Sequence, residues 1–385
     1  MKTLAVDRQS VTRDGHAFFD ELRAALGAGG RVVTFYAQPG DGGESVVLTA
    51  VTELAGEIAV LRAPLARASG FHSMTREFPA LHIFEREIFE EQGVKPHDHP
   101  WLKPVRFGGE HQGRVGEYPF FKVEGKEVHE VGVGPIHAGV IEPGHFRFMC
   151  LGETVHHLEI QLGFQHRGVE RLLLARPPWT LGPLVETIAG DTSVAHAWAY
   201  SSAIEALSGV DLAGAVPLSR GIALELERIA MHLAGLSGMA ADIAFLQGAA
   251  TYGRLRTTAI NTTMLLCGSR FGRGWVRPNA SRATMNDETA KLVEENLALV
   301  QRDIAIVNRH FLKAITVGHR LRGVGVLATA QATALGIVGM AARASGVALD
   351  TRLASGRVAP YDSLTPEIVV EPAGDCWARA VVRIR

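Results

Sequence analysis

Near the N-terminus the run FDELRAALG sets its apolar residues at helical spacing and predicts an amphipathic opening helix. The next runs, RVVTFYA, SVVLTAV and IAVLRAPL, are β-branched and aromatic, with turn signals such as QPGDGGES between them, and they predict strands. FPALHIFEREIFEEQGV returns to helical spacing, with Leu81, Phe84 and Ile88 on one stripe and Gly93 as its stop. The proline-rich KPHDHPWLKP then suggests a domain boundary near residue 105. From Gly108 to about Phe148 the pattern is β-rich and glycine-rich, and beyond it long helices dominate. The clearest helix is RGIALELERIAMHLAGLSG, where Ile222, Leu226, Ile229, Leu233 and Leu236 step by alternating four and three residues to make one apolar stripe. Its Glu225, Glu227 and Arg228 read as a solvated or partner-facing side. The tail EIVVEPAGDCWARAVVRIR reads as β-rich, stopping within a strand.

These patterns predict an α+β chain: a small α/β domain over residues 1–105, then a mostly helical domain over 106–385 entered through a β-rich segment. Gly323 to Ala342 carries no formal charge over a length close to the ~20 residues of a membrane span. It is mostly Gly, Ala and Thr, bounded by Arg322 and Arg343, and reads better as a buried helix packed through small residues.

Composition narrows the class. A hydrophobic share of 47% against 21% charged residues describes a globular, well-buried chain. Lys plus Arg (39) balance Asp plus Glu (40), so no global field attracts nucleic acid or an anionic membrane surface. Neutrality suits a subunit largely covered by partners. The cysteines Cys150, Cys267 and Cys376 are far apart in sequence, so no CxxC pair seeds a zinc site, a disulfide framework or an iron–sulfur cluster. The opening MKTLAVDRQSVTRDG has no apolar signal core, which points to the cytoplasm.

Three segments could carry chemistry. GPIHAGVIEPGHFRF gathers His137, Glu142 and His145 in a strand-flanked Pro-Gly loop, a rigid frame of the kind proton transfer requires; the same histidines could equally be satisfied loop residues. HRGVERLL opens a helix with His166 and Arg167, which could also be plain helix-terminal charge. VETIAGDTSVAHAWAYSSAIEAL places Glu186, Asp191 and His196 before or within a helix start, and Asp191 or Thr192 as an N-cap explains much of it.

In this order the segments resemble the large subunit of membrane-bound, formate-hydrogenlyase-type NiFe hydrogenases and, more distantly, the related complex I subunit that lines the quinone cavity. FPALHIFEREIFEEQGVKPHDHPWLKP looks like the small accessory subunit these hydrogenases carry fused at the N-terminus. LELERIAMHLAG, FGRGWVRP, GMAARASGV, YDSL and GDCWARAVVRIR follow in family order. The resemblance implies Glu142 as a proton relay, His145 as the loop histidine of the acceptor cavity, and His166 and Arg167 facing a partner's iron–sulfur cluster. It further implies Glu186, Asp191, His196 and Arg343 as cavity lining.

The sequence also departs from that family. Nickel takes soft thiolate ligands, and active members supply the first pair from a CGxC turn where this chain reads AGDT, so Ala189 and Thr192 stand in the ligand positions. The second pair lies in a C-terminal stretch before which this sequence stops, an apparent truncation. A quinone-binding tyrosine of the family falls on Gly190. The implied protein is an electron-transfer subunit of a hydrogenase-like or NADH:quinone-oxidoreductase-like complex, an oxidoreductase working only in assembly. It would bind no stoichiometric cofactor itself, with an iron–sulfur cluster in a partner small subunit and quinone or NADH possible in the complex. It would sit on the inner face of the cell membrane, reaching a membrane arm indirectly, with no nucleic-acid partner. The alternatives are a non-catalytic scaffold and an active NiFe hydrogenase or formate hydrogenlyase subunit.

Overall fold

The computed structural model describes residues 14–107, 116–136, 143–212, 214–283, 285–353, 359–364 and 366–385. The chain is α+β, with a sheet-rich N-terminal part followed by helices. It forms two compact units, one running to Gly168 and one from Val169 to Arg385 apart from residues 334–336.

In the first unit, helix α1 (Gly15–Gly27) begins where the Asp14 side chain accepts the Ala17 N–H at 2.8 Å. Strands β1 (Arg31–Pro39), β2 (Ser45–Leu54) and β3 (Glu57–Ala66) form an antiparallel sheet in sequence order, with Phe35 opposite Ala50 and Ala50 opposite Leu61. Phe18 and Leu22 of α1 pack with Phe35 and Leu48 of the sheet and with Leu81 and Ile88, all fully or almost fully buried. A short parallel pair, β4 (Phe71–His72) and β5 (Pro96–His97), brackets helix α2 (His82–Gln92), which ends on Gly93 at φ 69°. Only a residue tolerant of the left-handed region closes a helix that way.

The face of α2 toward this core carries charges with work to do. Glu85 accepts from the Met74 N–H at 2.8 Å and the Thr75 hydroxyl at 2.8 Å, and burial pushes its carboxyl up against those bonds. Arg86 donates to the carbonyls of Lys103 and Pro104, while Glu90 accepts the Val105 and Arg106 N–H groups. Lys103 continues to Glu159 at 2.5 Å. The proline-rich stretch is therefore stitched into the first unit, and the compact units divide at Gly168. Glu159 belongs to the second sheet, where β6 (Val128–Val133), β7 (His145–Leu151) and β8 (Thr154–Gln161) run antiparallel in sequence order.

The helical unit opens with α3 (Val169–Ala175), α4 (Leu181–Val185) and α5 (Ser193–Ser208). The hairpin of α6 (Val216–Asp242) and α7 (Leu246–Cys267) is its centre. A two-strand ribbon follows, β9 (Val276–Arg277) with β10 (Ala280–Ser281), and then α8 (Asp287–Lys313), started by an Asn286/Thr289 capping box. Leu233, Leu236, Tyr252, Val300 and Phe311 form the main core here, so the apolar stripe of α6 faces inward from Leu226 to Leu236, while Ile222 at its start is exposed.

Two readings of the sequence fail in this unit. The uncharged stretch 323–342 is not one helix. After α9 (Ile315–Leu321) it breaks into the short α10 (Thr329–Ala334) and α11 (Gly339–Arg343), because Gly323, Gly325, Gly336 and Gly339 all take positive φ. The tail is not a strand but helix α12 (Cys376–Ile384), capped by the Asp375 side chain on the Ala378 N–H at 2.8 Å. Among the described residues no helix is long and apolar enough to cross a membrane.

Candidate functional site

Of the loop residues singled out in the sequence, His137 and Glu142 lie outside the described residues. His145 opens β7, half-buried against Phe120, with ring centroids 5.4 Å apart. Its Nδ1 stands 3.4 Å from the Gly134 carbonyl and its Nε2 accepts from Arg147 Nε at 3.4 Å. An accepted bond at Nε2 leaves the neutral ring's proton on Nδ1, pointing to the carbonyl. Arg147 is steadied in turn by Glu130 and by the Phe120 face, 4.6 Å away. His166 is held through its backbone N–H on the Gly163 carbonyl at 3.1 Å, and Arg167 is exposed just ahead of α3. These three belong to the first unit, whereas Glu186, Asp191, His196 and Arg343 belong to the helical unit.

In the helical unit the AGDT turn leads into α5. Neither Thr192 nor Asp191 caps that helix with its side chain. The carboxylate of Glu227, reaching over from α6, accepts the Val194 N–H at 2.7 Å and the Ala195 N–H at 3.1 Å instead. A carboxylate at the positive end of a helix is favoured. Burial nonetheless pushes Glu227 up to about 7, with the Asp191 charge adding to the rise and the two N–H bonds opposing it. Asp191 and Glu227 line one small pocket with Met231, Thr263, Arg270 and Phe271.

Glu186 has a different task from cavity lining. Its carboxylate takes the Gly274 N–H at 2.7 Å and Arg277 at 2.6 Å, and its carbonyl accepts the Ser193 hydroxyl at 3.0 Å. This ties the end of α4 to the β9–β10 ribbon and to the first turn of α5. His196, one turn into α5, is pulled down by burial.

Arg343 joins a second and larger group. Glu225 of α6 bonds Arg352 at 3.1 Å and the Tyr361 hydroxyl, and Tyr361 stacks on Trp198 with centroids 6.0 Å apart. Asp350 takes two hydrogen bonds from the Arg352 guanidinium, at 2.7 and 3.0 Å, which hold it at about 2 although burial pulls the other way. Arg343 stands 3.6 Å from the same carboxylate. His232, a turn beyond Arg228, is pushed down to about 4, first by burial and then by Arg228, Arg383 and Arg343.

The expectation of one solvated or partner-facing side on α6 fails for Glu227, which caps α5, while Glu225 and Arg228 stay partly exposed. A signal was available: at ~3.6 residues per turn, positions two apart lie on nearly opposite sides of a helix. Glu225 and Glu227 therefore cannot share one solvated face. His232, Asp350, Arg352 and Tyr361 were missed as well, because only the tertiary fold gathers them.

No described group of three or more His, Cys, Asp or Glu side chains is placed to hold a metal ion. At the turn before α5 the residues present do not fit nickel: Ala189 offers a methyl group and Thr192 a hard hydroxyl where soft thiolates are needed. Cys267 is half-buried, raised by burial, and directs its thiol to the Ser269 carbonyl at 3.4 Å.

Residues 242–385, from the end of α6 through α12, match the family of the 49 Kd subunit of respiratory-chain NADH dehydrogenase. Beyond that partial family match, the chain is 29% identical to the membrane-bound hydrogenase subunit alpha of Pyrococcus furiosus, over 65% of its own length and 60% of the relative's. It is 30% identical to formate hydrogenlyase subunit 5 of Escherichia coli K12, over 67% of its length and 46% of the relative's. The chain therefore spans less than two thirds of either relative. Among solved structures it superposes on a chain of the membrane-bound sulfane sulfur reductase, an archaeal respiratory membrane complex, with a TM-score of 0.63. That match has 25% identity and covers 67% of this chain and 69% of the other.

Proposed function

We propose that the protein is the electron-transfer subunit of a membrane-associated, hydrogenase-like respiratory complex, working without nickel. The observation that carries this reading is the head of α5. In place of a thiolate pair, the AGDT turn presents a methyl group and a hydroxyl, and the adjoining helix terminus is held by the Glu227 carboxylate. A fold that keeps this turn ordered without soft donors can still position a proton-accepting carboxyl and an electron acceptor, but it cannot bind nickel there.

In this reading the iron–sulfur cluster sits in a small partner subunit, with His166 and Arg167 on the side that faces it. A guanidinium there would favour the reduced, more negative cluster and raise its potential. Glu142 and His145 serve the proton that accompanies the electron. Attachment to the membrane is through partner subunits.

The test is to purify the chain with its native partners and measure nickel and iron content together with turnover on hydrogen and quinones. Iron without stoichiometric nickel, electron transfer to an acceptor, and no hydrogen evolution are expected. About one nickel per chain would overturn the reading. Turnover unchanged in Glu142→Gln and Arg167→Ala would leave a scaffold, a role that Glu186 already fills within the fold.

A further inference from the structure

The helical unit carries a half-open cavity of about 560 Å³ lined by α6, α8 and α12, separate from the pocket at the head of α5. Its volume falls within the ~300–1,000 Å³ usual for small-ligand sites. One wall is apolar, built by Ile229, Leu233 and Leu236 of α6 with Leu297, Val300 and Ile304 of α8. The lining also carries the guanidinium groups of Arg228, Arg343, Arg352 and Arg383, and of Arg385, which pairs with Glu371 at 3.0 Å.

These arginines are not equally satisfied. Arg352 is saturated by Asp350 and Glu225. Among the described residues Arg343 reaches Asp350 Oδ2 at 3.6 Å, the oxygen Arg352 already binds at 2.7 Å, and the buried Arg228 Nε lies 3.4 Å from Glu225 Oε2 without a hydrogen bond to it. Arg383 donates to the Met340 sulfur and to the Arg379 carbonyl, neither of them an anion. Glu367 lines the same cavity but, among the described residues, makes no hydrogen bond or ion pair with the three. His232 stands among these cations as a neutral ring. Partly buried guanidiniums without hydrogen-bonded carboxylates are an unstable arrangement, and charge-assisted, bidentate bonds to an anion relieve it.

We propose that this cavity is a carboxylate-binding site, taking the anionic head among Arg228, Arg343 and Arg383 and an apolar body along the α6–α8 wall. A phosphate or a small hydrophilic anion would satisfy the cations but leave the half-buried Ile229, Leu297 and Ile304 uncovered, so a carboxylate on an apolar stem fits best. That chemistry has two sources, a free amphiphile or a Glu or Asp side chain on an apolar polypeptide segment. Neither source depends on the redox function proposed above.

The probe is sodium octanoate, titrated by calorimetry at low ionic strength into the full chain alone and into the chain assembled with its native partners. His232 is followed in the free chain by NMR with 13C-labelled histidine. Octanoate should bind once per chain and raise the His232 midpoint by a pH unit or more, since an anion offsets the surrounding cations. Octylammonium, with the same body and the opposite charge, should not bind. Arg228→Gln and Arg383→Gln should each weaken octanoate at least tenfold; Arg228 is partly exposed, so its variant remains informative if the other fails to fold. Binding that persists in the assembled complex identifies a free amphiphile as the occupant, and binding lost only on assembly identifies a polypeptide carboxylate. No octanoate binding to the free chain, equal binding of octylammonium, or an unmoved His232 overturns the proposal.

Discussion

Glu227 and His232 stand on the same helix and are displaced in opposite senses, which makes α6 a test of burial against charge. Glu227 is raised from 4.5 to about 7, so its favourable contribution is complete below the unfolded value and is lost as pH climbs through 7. His232 is lowered from 6.5 to about 4, so its contribution is complete above the unfolded value and is lost as pH falls toward 4. Each effect amounts to roughly 3 kcal/mol at most, and the two nearly cancel where their windows overlap. Urea unfolding at pH 4.5, 5.5 and 6.5 should therefore find little slope from this pair in the native chain. His232→Gln should leave stability that falls with rising pH, and Glu227→Gln stability that rises with it. Parallel profiles for all three proteins would show that neither group titrates as its surroundings dictate.

Among elements, the β9–β10 ribbon is held to α6 through a buried ion pair, beside its tie to Glu186. Arg220 of α6, fully buried, donates to both Glu205 oxygens at 3.0 and 2.6 Å and to the Arg277 carbonyl at 2.7 Å, while Glu205 also takes the Asn279 N–H at 2.7 Å. Arg220→Ala strands a carboxylate in the interior and should cost ~3–5 kcal/mol. The double change Arg220→Met with Glu205→Gln should recover part of that loss in a denaturation experiment. If the single change costs under a kcal/mol, the pair does not organise the ribbon. Neither residue announces itself in the sequence, since an ion pair between distant positions has no local pattern. Elements with a clean period were legible: α1, β1 to β3, α2 and the inward stripe of α6 all stand where spacing put them. The misread elements had misleading composition. Valine and isoleucine in the tail suggested a strand, but the buried Ala378, Val381 and Val382 follow helical spacing behind the Asp375 cap. An uncharged run suggested one helix at 323–342, where four glycines turn the backbone instead. The site was legible only as far as motifs reach. The AGDT turn could be found by resemblance, whereas the Glu227 cap and the cations around His232 exist only once α6 is packed.

At the scale of the whole molecule, the second sheet is inverted relative to an ordinary half-buried sheet. Cross-strand pairing puts Val131, Phe148 and Leu158 in one row and Val133, Phe146 and Ile160 in the next, all on one face. That face is apolar yet open, with Val131, Leu158 and Ile160 each more than 40% exposed. The other face, with Glu159 and Gln161, is polar and buried, because Lys103 and the Phe121 N–H cover Glu159. A chain that spends its covered face on a carboxylate and leaves Val131, Leu158 and Ile160 exposed on the other should not be comfortable alone, since contiguous apolar patches of this kind mark interaction surfaces. The isolated protein should therefore self-associate at micromolar concentration in sedimentation experiments. Leu158→Lys with Ile160→Glu should raise the monomer fraction and leave the unfolding midpoint within a few degrees, because neither side chain is part of a buried core. If the chain works in the complex proposed above, the same double variant should fail to co-purify with its partner subunits. A native chain that stays monomeric, or a double variant that still assembles, would show that this face is not where the complex is built.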